Sequence, residues 1–348
     1  MTKEKVQNIA LSPGGSAVRI LDQTRLPGEV VYLDLADREA MYEAVWALRV
    51  RGAPAIGIFA GYCVYVLAQG YGEAEFFPRL DEDCDYLISC RPTAVNLARQ
   101  TERMRALASG MAGAPVPEIV AALGREALAI HEEDIAMCRA IAEAGLSLLH
   151  EGDTVLTHCN AGPLATSQYG TGLGPLLLAA ERGMDIKAYV DETRPLLQGA
   201  RLTAWELMNA GVDCTLICDN MAALAMKQGR IQAVLAGCDR MAANGDAANK
   251  IGTSGAAIIA KHYGVPVYIL LPSSTIDLAC PTGADIPIEI RDGEEIRSLW
   301  YERPMAPAGV KCWDPAFDVT DHELITAVVT EKGAIYPPYD VNLQKLFG

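Results

Sequence analysis

From Gly152 onward the chain repeats one rhythm: a short apolar run, a polar loop, then a helical segment. Apolar runs at 154–158, 186–190, 214–218, 233–237 and 265–271 alternate with helical patterns near 174–182, 201–210, 221–228 and 252–263. Short runs that are apolar throughout, with helices between them, make βαβ units whose strands join a mainly parallel sheet. Few other folds accommodate that pattern. The stretch from about Asp37 to His150 reads differently. Helices are expected over 37–49 and 55–69, another from Thr93 after Pro92, and a long one from about Pro117 to His150. Short β-like pieces such as Val30-Val31-Tyr32-Leu33 precede them. The expectation is an α/β protein with a mostly helical N-terminal domain carrying a few short β-strands, residues 1–148. A C-terminal Rossmann-like domain with a mainly parallel sheet follows, residues 149–348.

Bulk properties narrow the partners. With 348 residues, 51% of them hydrophobic and 21% charged, the chain can bury a substantial core. A formal net charge of -15 argues against nucleic acid, whose phosphates call for a basic surface. A small phosphate ester needs only a local group of donors and stays open. No apolar run is long enough to span a bilayer, so no membrane partner is expected, and Met1-Thr2-Lys3-Glu4-Lys5 does not open a signal peptide. The ten cysteines are scattered, which suits a reduced cytoplasmic setting. Cys214 and Cys218 lack a second Cys or His pair at zinc-site spacing, and no metal is expected.

A parallel sheet gathers its run ends at one edge, where ligands bind. Two such ends carry reactive side chains. Val155-Leu156-Thr157-His158 leads to Cys159, followed by the tight Asn160-Ala161-Gly162 turn; Ala233-Val234-Leu235-Ala236-Gly237 leads to Asp239. A thiol at an exposed turn near helix N-termini gains acidity and can serve as base or nucleophile. A carboxyl facing the same ligand can serve as acid. His158 should point to the opposite face of its strand, so a Cys–His pair is not implied. Polar, glycine-rich residues 244–255, with Asn249 and Lys250 ahead of a helix start, form a candidate anion cradle. Arg51-Gly52-Ala53-Pro54 and Arg91-Pro92 place cations just before helix starts, and glycines 52 and 57 would let backbone approach a ligand. Gln198 sits in the polar loop after the second apolar run, as a ligand hydrogen-bond donor should.

Arg51–Gly57 (RGAPAIG), Thr157–Gly162 (THCNAG), Asp191–Leu207 (DETRPLLQGARLTAWEL) and Gly237–Thr253 (GCDRMAANGDAANKIGT) together resemble the methylthioribose-1-phosphate isomerase family, as does Asp314–Thr320. The resemblance implies an aldose–ketose isomerase of methionine salvage that converts 5-methylthioribose 1-phosphate to 5-methylthioribulose 1-phosphate. It also implies a homodimer acting on a sugar-phosphate substrate, without metal, nucleotide or other cofactor. Carried over by motif, Cys159 and Asp239 are the catalytic pair, and Arg51, Gly52, Ala53, Arg91, Gln198, Asn249 and Lys250 bind substrate. Pro163 and Cys238 stand where the family pattern suggests small residues. Pro163 could pre-set the start of the next helix or shift the turn beside Cys159, and Cys238 could fill the core.

An anomeric phosphate stops the sugar ring from opening spontaneously. The expected solution is a protonated Asp239 in a desolvated pocket donating to the ring oxygen, with Cys159 as thiolate moving a proton from C2 to C1. A hydride shift between the same carbons is the rival. The rival substrates are 5-deoxyribose 1-phosphate and ribose 1,5-bisphosphate, and the latter calls for a further cation cluster that is not apparent here. A non-enzymatic reading, as in the regulatory subunits of the exchange factor for translation initiation factor two, sits poorly with intact Cys159 and Asp239 motifs.

Overall fold

The N-terminal segment pairs its β-forming pieces before any helix starts. β1 (Ile9–Leu11), β2 (Val18–Leu21) and β3 (Tyr32–Leu35) form an antiparallel sheet in the computed structural model, which describes residues 7–91 and 95–348. α1 (Arg38–Trp46) begins at Asp37, whose carboxylate accepts the Ala40 N–H at 2.8 Å and so caps the helix. α2 (Ala53–Ala68) is apolar on nearly every face and is buried accordingly. It packs against α3 (Phe76–Ser89) and α4 (Val95–Gly110), ahead of the long α5 (Val116–Leu146). The α4 start expected at Thr93 lies outside the described residues.

α3 was not among the expected helices, because Pro78 and the acids at 81, 82, 83 and 85 interrupt its apolar pattern. Pro78 falls in the first turn, where a missing N–H breaks no intrahelical bond. Asp83 is buried, accepting from Arg38 at 2.8 Å and from the Tyr71 hydroxyl at 2.5 Å.

The later strands and helices follow the expected alternation closely. They are β4 (Thr154–His158), α6 (Gly174–Glu181), β5 (Lys187–Asp191), α7 (Ala204–Ala210), β6 (Cys214–Ile217), α8 (Ala222–Lys227) and β7 (Ala233–Ala236). Then come β8 (Arg240–Ala242), β9 (Ala247–Lys250), α9 (Thr253–Tyr263), β10 (Val267–Leu270), β11 (Ile276–Asp277), α10 (Glu294–Arg297), β12 (Phe317–Thr320), β13 (Ala327–Thr330), β14 (Gly333–Ile335) and α11 (Tyr339–Phe347). A seven-stranded sheet runs β14-β13-β10-β7-β4-β5-β6, parallel except for β14. Val155, Leu156, Val190 and Leu235 are fully buried in it, each worth about 1.5–3 kcal/mol of hydrophobic stabilisation. Strand order grows outward from β4 in one direction and from β7 in the other, the Rossmann arrangement, so the topological switch point lies between β4 and β7. A second sheet, β11-β8-β9-β12, was not expected.

The chain divides into two compact units, and the division falls inside α5. One unit comprises residues up to Met137 plus Pro163–Gln168; the other comprises Cys138–Gly162 and Tyr169–Gly348. No helix among the described residues is long and apolar enough to cross a membrane.

Candidate active site

Cys159 and Asp239 follow the two strands that flank the switch point. The β4–β7 register sets His158 beside Ala236, so Cys159 and Gly237 each lie one residue past the paired ends, with Asp239 in the turn into β8. Cys159 has a left-handed backbone, φ 65°. For a side-chain-bearing residue that costs roughly 1–2 kcal/mol and persists only where neighbours hold it. Two threonines do so. The Cys159 N–H donates to Thr193 Oγ1 at 2.9 Å, and the Thr203 hydroxyl donates to the Cys159 carbonyl at 2.6 Å. Asn160 Nδ2 then donates to Thr203 Oγ1 at 3.1 Å and to Glu206 Oε2 at 2.5 Å. The thiol was expected on an exposed turn; this turn is buried.

Asp239 departs from the expected desolvated pocket in the other direction: its residue is exposed. Its N–H donates to the Ala248 carbonyl at 2.9 Å, which sets it beside Asn249. Arg240 is held by Asp277 at 3.1 Å. Cys238 packs against the core with its thiol on the Ala248 carbonyl at 3.5 Å, and burial pushes that thiol's pKa well up. It is a core filler, as expected.

Gln198 is buried in the loop after β5, and its Oε1 has no hydrogen-bond partner. An unpaired buried acceptor is costly unless a ligand completes it. Lys250 ends β9 and is also buried. Its ammonium donates to the Ala316 carbonyl at 2.8 Å and lies 4.3 Å from the Phe317 ring centre. Asn249 Nδ2 donates to Thr253 Oγ1 at 3.0 Å.

Within the anion cradle expected over 244–255, the helix start is already taken. Asn244-Gly245 is the turn of the β8–β9 hairpin, and the N-terminus of α9 is occupied by the chain's own Asp318. Its carboxylate accepts the Gly252 N–H at 2.8 Å and the Ser254 N–H at 3.1 Å. Asp246 is tied to Asn244 Nδ2 at 2.7 Å, the Gly283 N–H at 3.0 Å and the His322 N–H at 2.9 Å. Burial works to raise its pKa, but these donors outweigh it and hold the carboxyl below its ordinary 3.8. A depressed folded value stabilises the fold above the ordinary pKa and is lost as pH falls through the lower folded one. Asp246→Ala is therefore expected to cost about 1–3 kcal/mol at pH 7, and urea unfolding should show the deficit shrinking toward pH 3.

Arg51, Gly52, Ala53 and Arg91 lie in the first unit. Gly52 caps α2, and a Cβ there would sit 2.4 Å from the Ala165 carbonyl oxygen; at Gly57 it would sit 3.1 Å from Gln100. At both positions the missing Cβ lets neighbouring protein atoms approach. Arg91 follows α3 immediately before the residues outside the description. Pro163 opens a single 3-10 turn, 163–165, and its carbonyl accepts from Asn8 Nδ2 at 2.8 Å.

The His158 ring bonds to Asp191 and to the Ile251 carbonyl. The ring, Asp191 and Asp219 bring ligand-type atoms within 4.8 Å of one another. Both ring nitrogens are already bonded within the chain, and Asp219 accepts the Thr193 and Arg194 N–H groups at 2.7 and 2.8 Å. The cluster is a hydrogen-bond network. Thr193 and Asp219 escaped the sequence reading because threonine and aspartate between strands and helices look like ordinary turn residues, and Thr203 because it lies in the π-helical turn 199–203 leading into α7.

The fold and these residues define a class: a Rossmann-like α/β protein with a thiol and a carboxyl at the switch point and a buried lysine nearby. Residues 49–337 match the initiation factor 2 subunit family. The chain belongs to that family and, within it, to the methylthioribose-1-phosphate isomerases. It is 55% identical over 347 residues to methylthioribose-1-phosphate isomerase of Symbiobacterium thermophilum, covering 99% of this chain and 97% of that protein. It is 52% identical over 334 residues to a 5-deoxyribose 1-phosphate isomerase of Clostridium botulinum strain Kyoto, covering 94% and 95%. Among solved structures, 5-methylthioribose 1-phosphate isomerase from Pyrococcus horikoshii OT3 matches with a TM-score of 0.94 at 38% identity, covering 99% of this chain and 97% of that one. A chain described as translation initiation factor eIF-2B, subunit delta, from A. fulgidus matches at 0.91 and 40% identity, covering 98% and 99%.

Proposed function

We infer that the chain is an aldose–ketose isomerase that converts 5-methylthioribose 1-phosphate to 5-methylthioribulose 1-phosphate in methionine salvage. The observation that carries this reading is the placement of Cys159 and Asp239 after β4 and β7, on either side of the switch point. Asp239 gives a proton to the ring oxygen as the C1–O bond breaks, leaving a cation at C1 that the phosphate-bearing oxygen shares. The Cys159 thiolate takes the C2 proton, forming an enol, and returns it to C1. The C2 hydroxyl proton passes to Asp239 as the ketone forms, so both groups end as they began. Lys250, Asn249, Gln198, Arg51, Gly52, Ala53 and Arg91 are assigned to substrate binding. The same reading takes the protein to be a cytoplasmic homodimer.

The 52% identical relatives named for 5-deoxyribose 1-phosphate favour one alternative substrate, which lacks only the methylthio group. Purified protein should turn over both 1-phosphates, with kcat/KM for the methylthio compound higher by roughly tenfold or more, the range that one small apolar group supports. Equal or reversed ratios would move the assignment to the deoxy sugar, and no turnover of either would overturn the isomerase reading.

A further inference from the structure

We propose that His158 is a positioning residue for this isomerase: a doubly protonated imidazole that locks the Cys159 turn to the segment bearing Asn249 and Lys250. The inference rests on the functional reading above. Nδ1 of His158 lies 2.9 Å from Asp191 Oδ2, and Nε2 lies 2.8 Å from the Ile251 carbonyl oxygen. A carbonyl only accepts, so Nε2 carries a hydrogen; a carboxylate also accepts, so Nδ1 carries the second. The His158 and Asp191 side chains are 1% and 2% exposed, and Asp191 Oδ1 has no partner, so the imidazole is what compensates the buried carboxylate.

These two bonds join three loops. His158 is covalently next to Cys159. Asp191 ends β5 two residues before Thr193, whose hydroxyl receives the Cys159 N–H. Ile251 directly follows Lys250, and Gly252 after it is bonded to Asp318. A Cβ on Gly252 would lie 2.7 Å from the His158 ring, so the glycine is part of the fit. The charged groups facing the ring are all acidic: Asp191 from β5, Asp219 ahead of α8 and Asp318 from β12. Burial alone would push the imidazole's pKa down, but the Asp191 hydrogen bond and charge outweigh it and the net direction is upward; burial also raises the Asp191 carboxyl, which the His158 hydrogen bond and charge oppose. Displacing the ring would let the sulfur and the Lys250 segment move independently, and a misplacement of about 1 Å at a reacting group costs on the order of a hundredfold in rate.

The test uses the full-length protein labelled with 15N-histidine. Two ring N–H resonances with imidazolium nitrogen shifts are expected for His158 at pH 7, above the ordinary histidine pKa. His158→Gln should lower kcat about 10- to 100-fold. Asp191→Asn keeps the shape but removes the charge, so its kcat should fall as pH rises across a range where the wild type is flat. A single ring N–H at pH 7, or an Asp191→Asn profile indistinguishable from wild type, would overturn the proposal. If His158→Gln does not fold, the wild-type spectrum and the Asp191→Asn profile still decide it. Absence of wild-type turnover would instead sink the functional reading, with the protonation of His158 read independently.

Discussion

Cys159→Ser is expected to lower kcat by about 10²–10⁴-fold, the usual contribution of a positioned acid or base, without a matching loss of stability. Serine is close to isosteric. It can keep the φ of 65° and both backbone bonds, from its N–H to Thr193 and from the Thr203 hydroxyl to its carbonyl. What it loses is acidity, since a hydroxyl is a far weaker acid than a thiol and supplies almost no anion at neutral pH. Steady-state turnover together with thermal unfolding separates the two effects, and a serine variant within a few-fold of wild type would remove Cys159 from the chemistry. Running the wild-type reaction in D2O adds the route. Deuterium at C1 of the product is expected for proton transfer through the thiol, whereas its complete absence would favour a hydride shift between the carbons.

Gly199→Ala should be the most damaging structural change near the site. A Cβ at 199 would lie 1.7 Å from the Asp191 carbonyl oxygen and 2.9 Å from Thr193 Oγ1. Neither can retreat cheaply. Asp191 ends a strand paired on both sides and holds His158, while Thr193 holds Cys159. Overpacking of this severity is expected to cost at least about 3 kcal/mol, seen as a fall in Tm of about 5 °C or more. Activity should drop in the surviving folded fraction, because the same loop carries Gln198. A variant with unchanged Tm and turnover would mean that the loop has slack the packing does not suggest.

The parallel sheet was legible because its strands are short apolar runs buried on both faces, and no other element produces five of those between helices. Cys159 and Asp239 were legible for a related reason: the fold rule says where strand ends go. The hairpin over 240–250 was harder. Its Asn244-Gly245 dipeptide is a strong turn signal, but the small residues around it read equally well as a ligand loop. The role of Asp318 was not legible at all, since it comes from a strand about sixty residues away and depends on the pairing of Asp318 with Asn249 across β12 and β9. Long-range pairing of this kind is tertiary information. Exposure of Asp239 against burial of Cys159 was likewise invisible, because both follow strands of similar composition.

Because Asp318 already neutralises the positive end of α9, the phosphate ester cannot be met there by fixed main-chain dipoles. Recognition would then fall to ammonium and guanidinium groups, whose attraction fades with ionic strength where they stay in contact with solvent. Such an enzyme would be tuned less by the geometry of one helix than by how many cations it can bring to bear, and the KM of its natural ester should climb as salt is added.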